Sequence, residues 1–141
     1  MPKLSQTSLT ASPKPVDEKI TINLGCVDLG QIDLLVQEGL YSNRTDLIRT
    51  AIRNQLTTHH EVVRQVVARK TLVLGIQHFS QADLLALQAA GERLQIRVLG
   101  LASIAPDVSP ELALDTIESI TVLGALHASP AVKAALLKRI T

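Results

Sequence analysis

The sequence predicts an α+β chain in two parts. An N-terminal strand and two short helices close only as an intertwined dimer. A small C-terminal α/β domain of three strand–turn–helix units, solenoid-like, follows. Three observations carry this. Residues 19–24, KITINL, alternate strictly between polar and apolar. Two amphipathic helical stripes come next, with Gly39 between them. Then TLVLG (71–75), IRVLG (96–100) and ITVLG (120–124) recur at intervals of 25 and 24 residues.

Residues 1–16, rich in Ser, Thr and Pro and without periodicity, read as a disordered arm, either idle or touching phosphates through Lys3 or Lys14. Over 19–24 the period is that of a half-buried strand. Ile20, Ile22 and Leu24 point to one side, Lys19, Thr21 and Asn23 to the other. Gly25 ends the strand and Asp28 is a candidate N-cap. Leu29, Ile32, Leu35 and Val36 form the stripe of the first helix. Gly39 suits the left-handed residue that closes it. Asn43 and Asp46 read as a capping box for the second helix, in which each side chain bonds the other's amide. Leu47, Ile48, Ala51, Ile52 and Leu56 line its apolar face, while Arg49 and Arg53 are solvated or paired. Val62, Val63, Val66 and Val67 continue a helical period. The expected domains are a 17–58 dimerising module, a 59–70 helical connector and a 71–141 oligomerisation domain.

Each repeat segment leads to a serine that can cap a helix, at Ser80-Gln81, Ser109-Pro110 and Ser129-Pro130. A period of 20–29 residues with one strand and one helix per unit has the pitch of a leucine-rich solenoid, but the asparagine of that consensus is absent. Short crossovers predict three parallel strands. One face would be covered by helices. The other would show Leu72, Arg97 and Thr121, with Leu74, Leu99 and Leu123 beside them. That face is too apolar to stay wet, so Leu74, Leu99 and Leu123 are candidate oligomerisation residues, as Ile20, Ile22 and Leu24 are on the strand.

Composition narrows the function. The chain is 46% hydrophobic but 1% aromatic, so the core is aliphatic. Its formal charge of +1 is low for a nucleic-acid binder. The halves differ, with 9 Lys/Arg against 7 Asp/Glu over 1–70 and 5 against 6 over 71–141. A locally focused basic surface on a dimer remains open. One cysteine excludes an internal disulfide and suits a reducing cytoplasm. No apolar run of membrane-spanning length and no signal-peptide core is present, so a cytoplasmic, nucleoid-associated protein is expected. No catalytic constellation and no glycine-rich phosphate loop appears, which points away from an enzyme and from any cofactor. His59 and His60, being adjacent, diverge on a helix. His78 and His127 occupy equivalent repeat positions in a polar turn, with Ser103 between, and would lie roughly 10 Å apart at two strand spacings, too far for one metal. No metal site is expected. Cys26 reads as a small buried hydrophobe.

The segment 19–58, through KITINL and IDLLVQEGLYSNRTDLIRTAIRNQL with its GLYSNRTD turn, resembles the ribbon-helix-helix DNA-binding proteins of the CopG, Arc and MetJ class. The resemblance covers about 40 residues, and the C-terminal half resembles no family that can be named from its residues. It implies that the exposed ribbon residues, here Lys19, Thr21 and Asn23, read bases in the major groove. The second helix start, here Asn43, Arg44 and Thr45, would clamp phosphates. The chemistry agrees: Lys suits guanine, Asn suits adenine, and helix N-terminal amides attract phosphate oxygens. Arg44 has an alternative in an ion pair with Asp46 or a partner's carboxylate. The implied function is a sequence-specific transcriptional regulator, most simply a repressor. It would bind double-stranded DNA as a dimer, tetramer or higher assembly, with no membrane partner. Two alternatives stand beside it: an antitoxin that also represses its own operon, and a scaffold protein whose repeats polymerise or bind another protein.

Overall fold

The structure, a computed structural model, describes residues 17–141. The arm at 1–16, with Lys3 and Lys14, lies outside the described residues. The fold is α+β, with a helical N-terminal region and a C-terminal alternating β/α unit. Two compact units divide between Leu47 and Ile48.

In the first unit, residues 17–25 carry neither helix nor strand within a single chain. Helix α1 (Cys26–Gln37) begins earlier than the sequence predicts: Gly25, not Asp28, is its N-cap, and Asp28 lies in its first turn. A carboxylate there still complements the positive end of the helix dipole. The close of α1 follows expectation. Gly39, at φ +83°, gives its N–H to Val36 O, and Leu40 gives its own to Leu35 O, the paired bonds of a Schellman motif. Helix α2 (Arg44–Thr58) then starts at the Asn43 cap.

In the second unit α2 runs out at His59 and helix α3 (His60–Arg69) carries the four valines. Thr71 closes α3 at φ +54°, an uncommon conformation for a β-branched residue. Three strands follow, β1 (Val73–Phe79), β2 (Leu94–Ile104) and β3 (Ile117–His127), parallel and in the order β1-β2-β3. Helices α4 (Gln81–Ala90), α5 (Pro110–Thr116) and α6 (Pro130–Ala135) follow the strands in turn. Ser80, Ser109 and Ser129 cap them, each hydroxyl accepting the N–H three residues on. A turn of 3-10 helix (Leu137–Arg139) ends the element order.

The sheet register follows the sequence repeat residue for residue. Leu74 pairs with Leu99 and Leu99 with Leu123; Gly75 pairs with Gly100 and Gly100 with Gly124. The strands do not end at these glycines, as the repeat segments imply, but run on for several residues. The glycines bend them instead, at φ +126°, +138° and +121°. A Cβ on Gly100 would overlap the Gly75 carbonyl oxygen, and one on Gly124 the Gly100 oxygen. The bend is therefore shared by three strands, and side chains are excluded from it sterically as well as conformationally.

The core lies between the helices and one face of the sheet. Ile96, Val98, Ala102 and Ile104 of β2 meet Leu84 of α4, Leu112 and Ala113 of α5 and Val132 of α6. Every buried residue among those described lies at Leu72 or beyond, and none belongs to α1, α2 or α3. Leu72 itself, expected on the open face, is buried and precedes β1. Arg97 is turned to the end of α3, where its Nε and Nη2 donate to Lys70 O at 3.0 and 2.7 Å. Leu74 and Leu123 are exposed and Leu99 is half-buried.

Candidate nucleic-acid interface

Two groups of residues make up the candidate site. The first is the segment before α1. Lys19, Thr21 and Asn23 are exposed, and so are the apolar residues between them: Ile20 is 75%, Ile22 57% and Leu24 42% accessible. Three aliphatic side chains thus alternate with three polar ones, all exposed. Among the described residues nothing buries the apolar set, and burying it would stabilise by roughly 1.5–3 kcal/mol per side chain.

The second group is the turn into α2. Asn43 Oδ1 accepts the Asp46 N–H at 2.8 Å, as the capping spacing requires. The Asp46 carboxylate takes the N–H and the hydroxyl of Ser42, each at 3.0 Å. Thr45 is exposed beside it. Arg44 adopts a partner that the sequence reasoning did not name. Its Nε and Nη2 grip the two oxygens of Asp33 on α1, at 2.7 and 2.9 Å. The Arg44 guanidinium holds the Asp33 carboxyl below its ordinary range, and Asp33 in turn raises Arg44. The signal for this pair was present. After a tight turn, the first turn of a second helix returns past the last turns of the first. The pair is solvent-facing, so its energetic weight is small. Its geometric effect is to hold the Arg44 side chain, from the first residue of α2, against α1.

Cys26, expected to be buried, is exposed as the first residue of α1. Arg49 and Arg53 are exposed. Glu61 pairs with Arg64 at 2.8 Å, which holds the Glu61 carboxyl below its ordinary range. His78, Ser103 and His127 share one register row, but within the strands rather than in a turn, and His78 Nδ1 lies 3.2 Å from Ser103 Oγ. Among the described residues no group of three or more His, Cys, Asp or Glu is placed to hold a metal ion, and no helix is long and apolar enough to cross a membrane.

A two-helix unit that follows an exposed alternating segment and has no core of its own defines a class of protein, the ribbon-helix-helix DNA binders. The family comparison agrees: residues 15–133 match the ribbon-helix-helix transcriptional regulator family, and the chain belongs to it. This corrects the sequence reading in one respect. The match is not confined to 19–58; it runs through the repeat half, which is part of the same family's architecture. Membership places the chain among non-catalytic, DNA-binding regulators. No match is found among curated proteins or among solved structures.

Proposed function

We propose that the protein is a sequence-specific transcriptional repressor. In this reading two copies pair residues 19–24 as a two-stranded ribbon and insert it in the DNA major groove, which admits such a ribbon. The observation that carries it is the exposed alternation of Ile20, Ile22 and Leu24 with Lys19, Thr21 and Asn23, in a region without a single buried residue. The apolar set becomes the dimer core. The polar set, doubled by the twofold, meets base edges. Asn43, Arg44 and Thr45 seat the α2 start on phosphates, which positions the ribbon without choosing sequence. Residues 71–141 associate further through the row Leu74, Leu99 and Leu123, joining dimers on repeated half-sites of nucleoid DNA in the cytoplasm. Linking two binding modules raises their effective concentration and tightens tandem-site binding. Neither the antitoxin nor the scaffold alternative gains an observation of its own.

Genome-wide mapping of bound DNA, followed by a footprint, supplies the operator. Thr21→Ala and Asn23→Ala should then each lose roughly 1–3 kcal/mol of discrimination between operator and scrambled duplex, with the dimer intact. Equal affinity of the unmutated protein for both duplexes would remove the specific-binding reading. Light scattering on the full chain and on residues 1–68 tests the linking role, with a dimer expected for the fragment and a larger mass for the chain.

A further inference from the structure

The two ends of the repeat stack differ. At the β3 end, Ile140 forms a parallel bridge to Ile120, Thr141 N–H donates to Ile120 O, and the Thr121 and Thr141 hydroxyls meet at 3.0 Å. Residues 140 and 141 thus cover that edge at Ile120 and Thr121. At the β1 end the whole strand is an edge. It carries Val73, Leu74 and Ile76 exposed, with no charge, proline or bulge of the kind that protects natural edges. The core side of the first unit is open too. Val73 is 43% accessible, whereas Val98, its register partner, is 0%. Phe79, Ala86, Leu87 and Leu94 line a groove beside β1 whose rim carries His78, Asp83 and Glu92. Repeat stacks need a polar terminal unit for solubility, and here α4 carries polar residues while the β1 edge keeps Val73, Leu74 and Ile76 exposed.

The glycine row says what fits there. Each glycine presents its carbonyl to the space that the next glycine keeps empty of a Cβ. Gly124 fills that space with the Gly100 oxygen and Gly100 with the Gly75 oxygen; at Gly75 nothing described lies within 4 Å. Gly75 nevertheless has the same bend. The slot is shaped for the carbonyl of one more parallel strand bent at a glycine, and β3 carries such a strand.

We propose that β3 of one copy adds to the β1 edge of a second copy, head to tail and parallel, with Gly124 against Gly75. Continuing the register, residues 122–128 pair with Val73–Phe79 of the second copy. That register lies beyond the Ile140 bridge to Ile120, so the two contacts do not compete. Such a contact is heterologous and generates a ring or an open filament rather than a closed twofold pair. It does not rest on the DNA-binding reading, since it involves the repeat half alone.

Disulfide trapping separates this arrangement from the others. In one chain Leu74 and Leu123 are two strand spacings apart, about 10 Å, beyond bridging; across the proposed junction they are one spacing apart, about 4.8 Å, within disulfide reach. Sheets packed face to face about a twofold close in pairs, so cross-linking between them stops at a covalent dimer. Full-length Leu74→Cys and Leu123→Cys, each on a Cys26→Ser background, are mixed in a thiol redox buffer. The mixed 74–123 disulfide should form at least about tenfold faster than either homodisulfide, because neighbouring strands hold the thiols at high effective concentration. The double variant should give a covalent ladder or ring. Both leucines lie on the surface or the open face, and circular dichroism checks folding. If either variant misfolds, Ile76→Cys with Ala125→Cys tests the next rung. Homodisulfides forming as fast as the mixed one, or no cross-link in folded protein, would overturn the proposal.

Discussion

The regions before and after Leu72 solve the same problem in opposite ways. Residues 72–141 bury their aliphatic side chains within one chain, between three helices and a sheet whose register repeats its sequence. Residues 17–69 bury none, although they contain Ile20, Ile22, Leu24, Leu34, Ile52 and Leu56. A segment of that length is marginal for filling a core alone, and in the proposed dimer a second copy supplies the missing surface. The comparison teaches that an aliphatic pattern says which face will be dry, but not whether the covering surface comes from the same chain.

The sharpest way to break the self-sufficient half is at its glycine row. Gly100→Ala and Gly124→Ala each drive a methyl group into a backbone carbonyl of the preceding strand. Each should cost about 4 kcal/mol or more, the range of backbone strain combined with overpacking. In a chain whose β1 edge is free, Gly75→Ala has the conformational strain without the collision, so it should cost only about 1–3 kcal/mol. Urea unfolding of the three variants checks the order; equal costs would show that the shared bend is not what holds the strands together.

The dependent half should break at Ile22. Ile22→Ser exposes no cavity in the single chain but removes roughly 1.5–3 kcal/mol of burial from each partner of a dimer. The expected result is a dimer midpoint shifted to higher protein concentration, read by analytical ultracentrifugation, while the unfolding of residues 72–141 stays as it was.

The junction between the halves offers a gain. Thr71 holds a left-handed conformation at the end of α3, so Thr71→Gly should stabilise by about 1 kcal/mol. A thermal midpoint that falls would mean that the threonine side chain contributes more than its backbone costs.

The smallest effect belongs to the Asp33–Arg44 pair. Asp33 is held below its ordinary value by Arg44, so the pair's contribution is fully present above that ordinary value, about 3.9, and is lost as pH falls through the lower folded value. A carboxyl titration by NMR should place Asp33 below the ordinary range in the native protein and within it in Arg44→Ala. The same variant should weaken operator and scrambled DNA alike. It should also make the logarithmic salt slope shallower, by up to about one unit for each phosphate that is no longer neutralised.

The parts legible in the sequence were those set by local rules. The Gly39 close, the Asn43 cap, the three serine caps and the 25- and 24-residue register all follow from residues within a few positions of one another or from direct repetition. What was missed depended on neighbours distant in sequence. Asp33 meets Arg44 only after the turn between their helices is folded. Arg97 looks like a solvated repeat position until the end of α3 is placed over it. The repeat glycines read only as a recurring position. Only the register shows them stacked as a common bend. For the candidate site, the alternation over 19–24 is legible, yet within one chain those residues form neither helix nor strand.

Amide hydrogen exchange at two or more protein concentrations tests the central claim most directly. If residues 17–69 borrow their core from a second copy, protection at Ile20, Ile22 and Leu24 should rise with protein concentration. Protection at Ile96 and Val98, in the middle strand of the self-contained half, should not change. Unprotected amides over 20–24 at every concentration, in protein whose β2 is protected, would contradict the account.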